Sequence, residues 1–242
     1  EPHDVELSPS VVRSLAQADA VLYIEGFQPA VDAAIESTGA YGVDASDVVE
    51  LHLTHHIHAE DGGDEDHGDP HGQLGPHFWL DPLLLADYAE ALAEEFSALD
   101  PKNTVTFERN AADLVQALTN LDTQFALGLA ACERETIVVS HEAFGYLTDS
   151  YGLEQVGVAG IDPDTEPSPQ RFREIAATIK ATGTTTLFTE SAASATVVQA
   201  LAADAGVDTA VLDPLETIAQ GDNYIGVMHR NLEMLRHALG CE

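Results

Sequence analysis

Six of the eleven histidines in this chain fall in one stretch, HLTHHIHAEDGGDEDHGDPHGQLGP, spanning residues 52–76: His52, His55, His56, His58, His67 and His71. Imidazole nitrogen suits zinc, copper and nickel, and the interspersed carboxylates add weaker oxygen donors. Clustered histidine is the main compositional sign of metal binding. The stretch has almost no apolar content after Ile57, which predicts a mobile loop that collects or senses metal without gripping one ion rigidly. A polar loop can also accumulate histidine to no purpose, so the run alone does not define a site.

The remaining histidines are isolated, and three have unusual settings. His3 precedes the first predicted helix, and His77 sits in Gly75-Pro76-His77-Phe78-Trp79-Leu80-Asp81-Pro82 just before another. His141 follows the strand-like Ile137-Val138-Val139-Ser140, and Asp213 follows Ala210-Val211-Leu212 in the same way. A parallel α/β sheet presents its ligand-binding residues at that carboxyl edge. Singly, each of the four is more often a capping or hydrogen-bonded residue than a ligand. Glu190 also ends a strand, where a supporting hydrogen bond is expected more than ligation. His229 and His237 are expected on the solvated face of the last helix, and Trp79 in the core beside His77.

Enzyme signatures are missing. No H-E-x-x-H pair supplies a zinc hydrolase, although Glu142 adjoins His141, and no G-x-x-x-x-G-K-[ST] cradles a nucleotide. Cys132 and Cys241 lack C-x-x-C spacing and are too few for a disulfide scaffold; one bridge or two free thiols are both open.

The elements that must position these groups follow from periodicity and punctuation. Ser8-Pro9 reads as an N-cap with proline at the first helical position, opening a helix through about residue 17. A strand over 20–24, a helix over 29–37 and a short strand over 48–51 come next. Asp81-Pro82 opens a helix to Leu99. Asp100-Pro101 opens a longer one ending near Cys132, with Phe107, Ala111, Leu114, Leu118, Leu121, Phe125 and Leu129 as a single apolar stripe. At 1.5 Å per residue this helix is roughly 40 Å long. Beyond it, strands are expected over 136–140, 155–158, 185–189 and 209–212, alternating with helices over 143–151, 169–182, 195–205 and 224–239. That rhythm predicts an α/β fold with parallel sheets covered by helices. The simplest architecture is two α/β lobes joined by the long helix: residues 1–100 with the loop at 52–76, a linking helix over 101–132, and residues 133–242.

With 42 acidic side chains against 9 basic ones, the formal net charge is -33. Nucleic acid and anionic membrane surfaces, which both require basic patches, are therefore excluded as direct partners. The acids are dispersed and the only lysines are Lys102 and Lys180, over a hydrophobic fraction of 45%. This pattern looks like adaptation to high salt, where screening removes most self-repulsion. No run reaches the about 18 apolar residues needed to cross a bilayer. The chain opens at Glu1 without methionine, from which a processed or trimmed product is expected.

Four ordered segments bring these residues into one pattern: Pro2-His3-Asp4-Val5-Glu6-Leu7-Ser8-Pro9-Ser10, Pro76-His77-Phe78-Trp79-Leu80-Asp81-Pro82, Ser140-His141-Glu142-Ala143-Phe144-Gly145-Tyr146 and Leu212-Asp213-Pro214-Leu215. The run from Tyr224 to Leu235, with Met228, Asn231 and Leu232, completes it. Together they resemble the zinc/manganese solute-binding proteins of ABC importers over essentially the whole chain. The resemblance implies two α/β lobes with parallel sheets joined by one long rigid helix, and a single metal held in the cleft by His3, His77, His141 and Asp213. Three imidazoles and a carboxylate give tetrahedral N/O ligation suited to Zn2+, with no position kept for a reactive water. Manganese members of the family commonly carry a carboxylate at the His141 position, so histidine there leans towards zinc.

The function implied is capture of zinc outside the membrane, at the cell surface or in the periplasm, and delivery to an ABC permease and its ATPase, without catalysis. The binding protein is expected to be a monomer, lipid-anchored through an upstream segment. A manganese-type protein or a surface adhesin of the same family is the alternative, and a zinc hydrolase ranks below both. Two departures from the family pattern stand out. The usual strand–helix–strand before the His3 motif is missing from this sequence, and Val5 and Leu7 replace tyrosine and proline. Glu1 carries a further carboxylate near His3, but at the terminus it is not counted among the expected ligands.

Overall fold

The computed structural model describes residues 3–51, 75–161, 167–190 and 196–242. The described residues form two compact units, one of residues 3–51 and 81–122, the other of residues 75–80 and 123–242.

In the first unit, Ser8 caps α1 (Pro9–Leu15) by accepting from the Val11 N–H, with proline at the first turn as expected. Strands β1 (Val21–Tyr23) and β2 (Gly42–Asp44) pair in parallel around α2 (Pro29–Thr38), which Gly39 ends in a left-handed conformation. The strand expected over 48–51 is instead β2, several residues earlier. Asp44 ends it by accepting from the Ser46 N–H and hydroxyl, which turns the chain into a 3-10 segment, Ala45–Asp47. Asp81 caps α3 (Pro82–Leu99) through two backbone N–H groups.

Helix α4 (Thr104–Gly128) starts later and stops earlier than its sequence suggests. The Asp100 carboxylate accepts from Lys102 N–H and from the Asn103 side chain, so Asp100-Pro101 forms a turn and the helix begins after Asn103. The expected stripe is buried only from Leu118 onwards, at Leu118, Leu121, Phe125 and Leu129, while Leu114 is exposed.

The second unit holds the main sheet: β3 (Thr136–Val139), β4 (Glu154–Gly157), β5 (Thr186–Thr189) and β6 (Asp208–Val211), all parallel in the order β4-β3-β5-β6. The central strands β3 and β5 are buried throughout, as β-branched and apolar runs in a doubly covered sheet should be. Helices α5 (Gly145–Tyr151), α6 (Pro169–Thr182), α7 (Thr196–Ala205) and α8 (Tyr224–Leu239) supply the crossovers and cover. Val138 and Leu187 pack with Ile175, Ile179, Val198 and Leu201 into one core. Connections leave the adjacent strands β3 and β5 in opposite directions, β3 to β4 on one side and β5 to β6 on the other. That reversal opens a crevice at their carboxyl ends, where open α/β sheets bind ligands.

Cys132, just past α4, is disulfide-bonded to Cys241, just past α8, across 109 residues of sequence. No described helix is long and apolar enough to cross a membrane.

Candidate metal centre

Three side chains of the second unit converge at the carboxyl edge of the sheet. His141 follows β3 and its loop is anchored on both sides, Ala159 N–H to Ser140 O at 2.8 Å and Glu142 N–H to Gly160 O at 2.9 Å. Glu142 is also held by Arg171, whose guanidinium donates to Gly157 O at 2.7 Å and approaches Glu142 Oε1 at 3.5 Å. His77 lies on the extended segment before a 3-10 turn, Phe78–Leu80, and both its flanks are tied down. Upstream, the Tyr146 hydroxyl of α5 donates to Gly75 O at 2.8 Å. Downstream, Trp79 Nε1 donates to Pro214 O at 2.8 Å, and the Tyr224 hydroxyl of α8 donates to Trp79 O at 2.7 Å. Trp79 is therefore a hydrogen-bonding strut as well as a half-buried neighbour of His77.

The third side chain is Glu216, on the turn after β6. Its Oε1 lies 2.9 Å from His77 Nε2 and 3.2 Å from His141 Nε2. Leu215 gives this turn its shape: at φ 59° it is the one non-glycine residue with positive φ among those described, a conformation that costs on the order of 1–2 kcal/mol. Asn231 of α8 offsets that cost by gripping Asp213 twice, accepting from its N–H at 3.0 Å and donating to its O at 2.8 Å.

Donor atoms of His77, His141 and Glu216 all lie within 4.8 Å of one another. Zinc bonds of about 2.0–2.1 Å at tetrahedral angles put ligand atoms ~3.3 Å apart. The Glu216–His141 contact at 3.2 Å is close to that spacing and the Glu216–His77 contact at 2.9 Å is shorter, and the two histidines are 1% and 0% exposed, so the donors are held in place by packing.

Behind His141 stands a second carboxylate. Its Nδ1 lies 2.5 Å from Glu190 Oε1, which also accepts from the Ser140 hydroxyl at 2.7 Å. Burial opposes the charged imidazolium, but hydrogen bonds and charge from Glu190 and Glu216 outweigh it, and His141 is pushed up to about 9. Burial likewise works against the Glu190 carboxylate, yet His141 and Ser140 hold it below its ordinary value. Asp213 is raised, chiefly by burial.

The expected ligands thus fall out as follows. His77 and His141 come together in the second unit. His3 belongs to the first unit, half-buried on a turn with its ring edge-on to Phe27 at 4.8 Å. The Asp213 carboxylate caps its own turn by accepting from Leu215 N–H at 2.8 Å, and the acid facing both imidazoles is Glu216, three residues on. His52, His55, His56, His58, His67 and His71 lie outside the described residues, as does Glu1. His237 is solvated as expected; His229 is half-buried instead, because α8 packs on more than one face.

The zinc-uptake complex component A (periplasmic) family model matches residues 1–238. The zinc-binding lipoprotein AdcA of Streptococcus pneumoniae is 34% identical over 250 residues, covering 100% of this chain and 50% of the relative. The chain thus spans about half the length of the curated relatives of that name. Among solved structures, the Zn(II)-bound ZnuA-like domain of Streptococcus pneumoniae AdcA is 31% identical, with a TM-score of 0.78 over 99% of this chain and 86% of that one. The laminin-binding protein of Streptococcus agalactiae, described as bifunctional with adhesin and metal-transporting activity, reaches a TM-score of 0.85 at 26% identity, over 99% and 87% of the two chains.

Proposed function

The chain belongs to the zinc-uptake complex component A family, and from that premise we propose that it is an extracytoplasmic solute-binding protein that captures Zn2+ for an ABC permease and its ATPase. The observation that carries this reading is the convergence of two buried imidazoles and a carboxylate, with donor atoms within 4.8 Å of one another. Imidazole and carboxylate donors suit zinc, and the Zn(II)-bound relative supports the choice of metal. A disulfide between Cys132 and Cys241 fits an oxidising compartment. Such a protein binds and releases, and performs no reaction.

His77 and His141 are two of the proposed ligands. His3 is the third imidazole, an assignment that rests on the Pro2-His3-Asp4 motif. The carboxylate comes from the turn Asp213-Pro214-Leu215-Glu216: the family resemblance carries it to Asp213, whereas the contact geometry favours Glu216. The histidines between 52 and 71 form an accessory, low-affinity collector on the same reading.

Competition titration against a chromophoric chelator tests the proposal. One Zn2+ per chain is expected in protein lacking residues 52–74, and His77→Ala and His141→Ala should each weaken binding by orders of magnitude. Undiminished stoichiometric zinc in the double variant sinks the site. Comparing Glu216→Gln with Asp213→Asn separates the two carboxylate assignments, because only the true ligand lowers affinity strongly. The likeness to a laminin-binding protein favours one second reading, surface adhesion, which saturable laminin binding by zinc-loaded protein would support.

A further inference from the structure

The crevice where the sheet reverses direction receives one residue pair from each of its two central strands. Strand β3 leads into Ser140-His141 and β5, ending at Thr189, leads into Glu190, and because β3 and β5 are hydrogen-bonded neighbours, these segments leave the sheet side by side. Glu190 Oε1 is shared by the Ser140 hydroxyl at 2.7 Å and by His141 Nδ1 at 2.5 Å. The opposite ring nitrogen, Nε2, faces Glu216 at 3.2 Å and thus the proposed ligand group. An imidazole with its Nδ1 committed to a carboxylate as N–H has only Nε2 available for a metal. His141 is 0% exposed, so the ring is held among protein groups and Nδ1 is shielded from bulk solvent.

We propose that Glu190 is the positioning residue of the metal centre: with Ser140 it fixes His141 in the tautomer whose Nε2 donates to the metal, and its charge raises the basicity of that nitrogen. This inference deepens the reading of the site given above and rests on it. The chemistry is that of a carboxylate–histidine–metal relay, in which the outer carboxylate both orients the ring and strengthens its bond to the ion. Ser140 has a separate task. Its hydroxyl holds the same carboxylate oxygen and so fixes Glu190 relative to the end of β3.

The test uses the full chain with 15N-labelled imidazoles, loaded with 113Cd in place of zinc, alongside zinc competition titrations. In the unsubstituted protein, 113Cd should couple to His141 Nε2, and the Nδ1 proton should resonate far downfield and exchange slowly. Glu190→Ala should weaken zinc by ~10–100-fold and abolish the protected Nδ1 proton. Glu190→Gln, which keeps the shape and an acceptor oxygen but not the charge, should recover part of the affinity and move the Nδ1 proton upfield. A residue that merely supported the fold would leave the proton signal unchanged in the glutamine variant.

Wild-type affinity and an unshifted Nδ1 proton in Glu190→Gln would overturn the positioning role alone. Lack of 113Cd coupling to His141 in the unsubstituted protein would overturn the ligand assignment, and this inference with it.

Discussion

At the scale of the residue, His141 decides how the site responds to pH. Metal-free, its imidazolium persists to about 9, because Glu190 and Glu216 overcome the cost of burying the charge. Zinc must therefore displace a proton from it at neutral pH. Apparent zinc affinity should rise at least about tenfold per pH unit up to about 9 and then level off. Calorimetry in buffers of different ionisation enthalpy should show proton release at pH 7; a pH-independent affinity contradicts the arrangement. The same shift predicts the stability of the metal-free fold, with a definite sign. The folded value lies above the unfolded 6.5, so the contribution is complete below 6.5 and is lost as pH rises through about 9. It amounts to on the order of 3 kcal/mol, shared with Glu190 rather than added to it. Urea unfolding in chelator at pH 6 and pH 10 measures the loss, and His141→Ala should flatten it.

At the scale of the element, the ends of β4 and β6 govern the site from a distance. Gly157 closes β4 where a Cβ would fall 2.3 Å from Ala159 O and 2.4 Å from Glu142 Cγ. Gly157→Ala must displace the loop that carries Glu142 and His141. It should destabilise by about 1–3 kcal/mol and weaken zinc as well. Unfolding curves and zinc titrations that both match the unsubstituted protein would refute this. Asn231 plays the corresponding part on α8. Asn231→Ala leaves two backbone groups of Asp213 without their partner, costing about 1–3 kcal/mol, and releases the turn that aims Glu216. Chemical denaturation reads the first effect and zinc affinity the second, and Asn231→Asp should recover only one of the two bonds.

At the scale of the whole molecule, one covalent link and one excess of charge dominate. The Cys132–Cys241 bond closes a 109-residue span that contains the entire main sheet. Constraining so long a loop in the unfolded chain is worth about 2–5 kcal/mol, so reduction should lower the unfolding midpoint while leaving the zinc ligands untouched. A net charge of -33 repels itself within the folded volume. On the proposal that this surface suits a high-salt medium, Tm should climb between about 0.1 M and 2 M KCl as screening shortens from ~10 Å to below 3 Å. A flat or falling Tm would count against it.

Local information was enough for much of this. Proline after serine or aspartate marked the starts of α1, α3 and α6, and alternating strand and helix patterns marked the parallel sheet, because caps and periodicity act within a few residues. His77 and His141 each sit beside such a boundary signal, but only the family resemblance joined them into one expected ligand set. Where two local signals compete, or where the partner is distant, sequence alone does not choose. Asp100-Pro101 looks like a helix start, yet contacts with Lys102 and Asn103 make it a turn. Asp213 looks like the acid at a strand end, yet Asn231 and a left-handed Leu215 turn it onto its own backbone and bring Glu216 to the imidazoles. An acid three residues past Asp213 was the only hint. By itself the sequence determined which residue types could bind metal and which strand ends could carry them. Only the tertiary structure decided which carboxylate faces which ring nitrogen, because that depends on hydrogen bonds between β3, β5, β6 and α8 that no local pattern records.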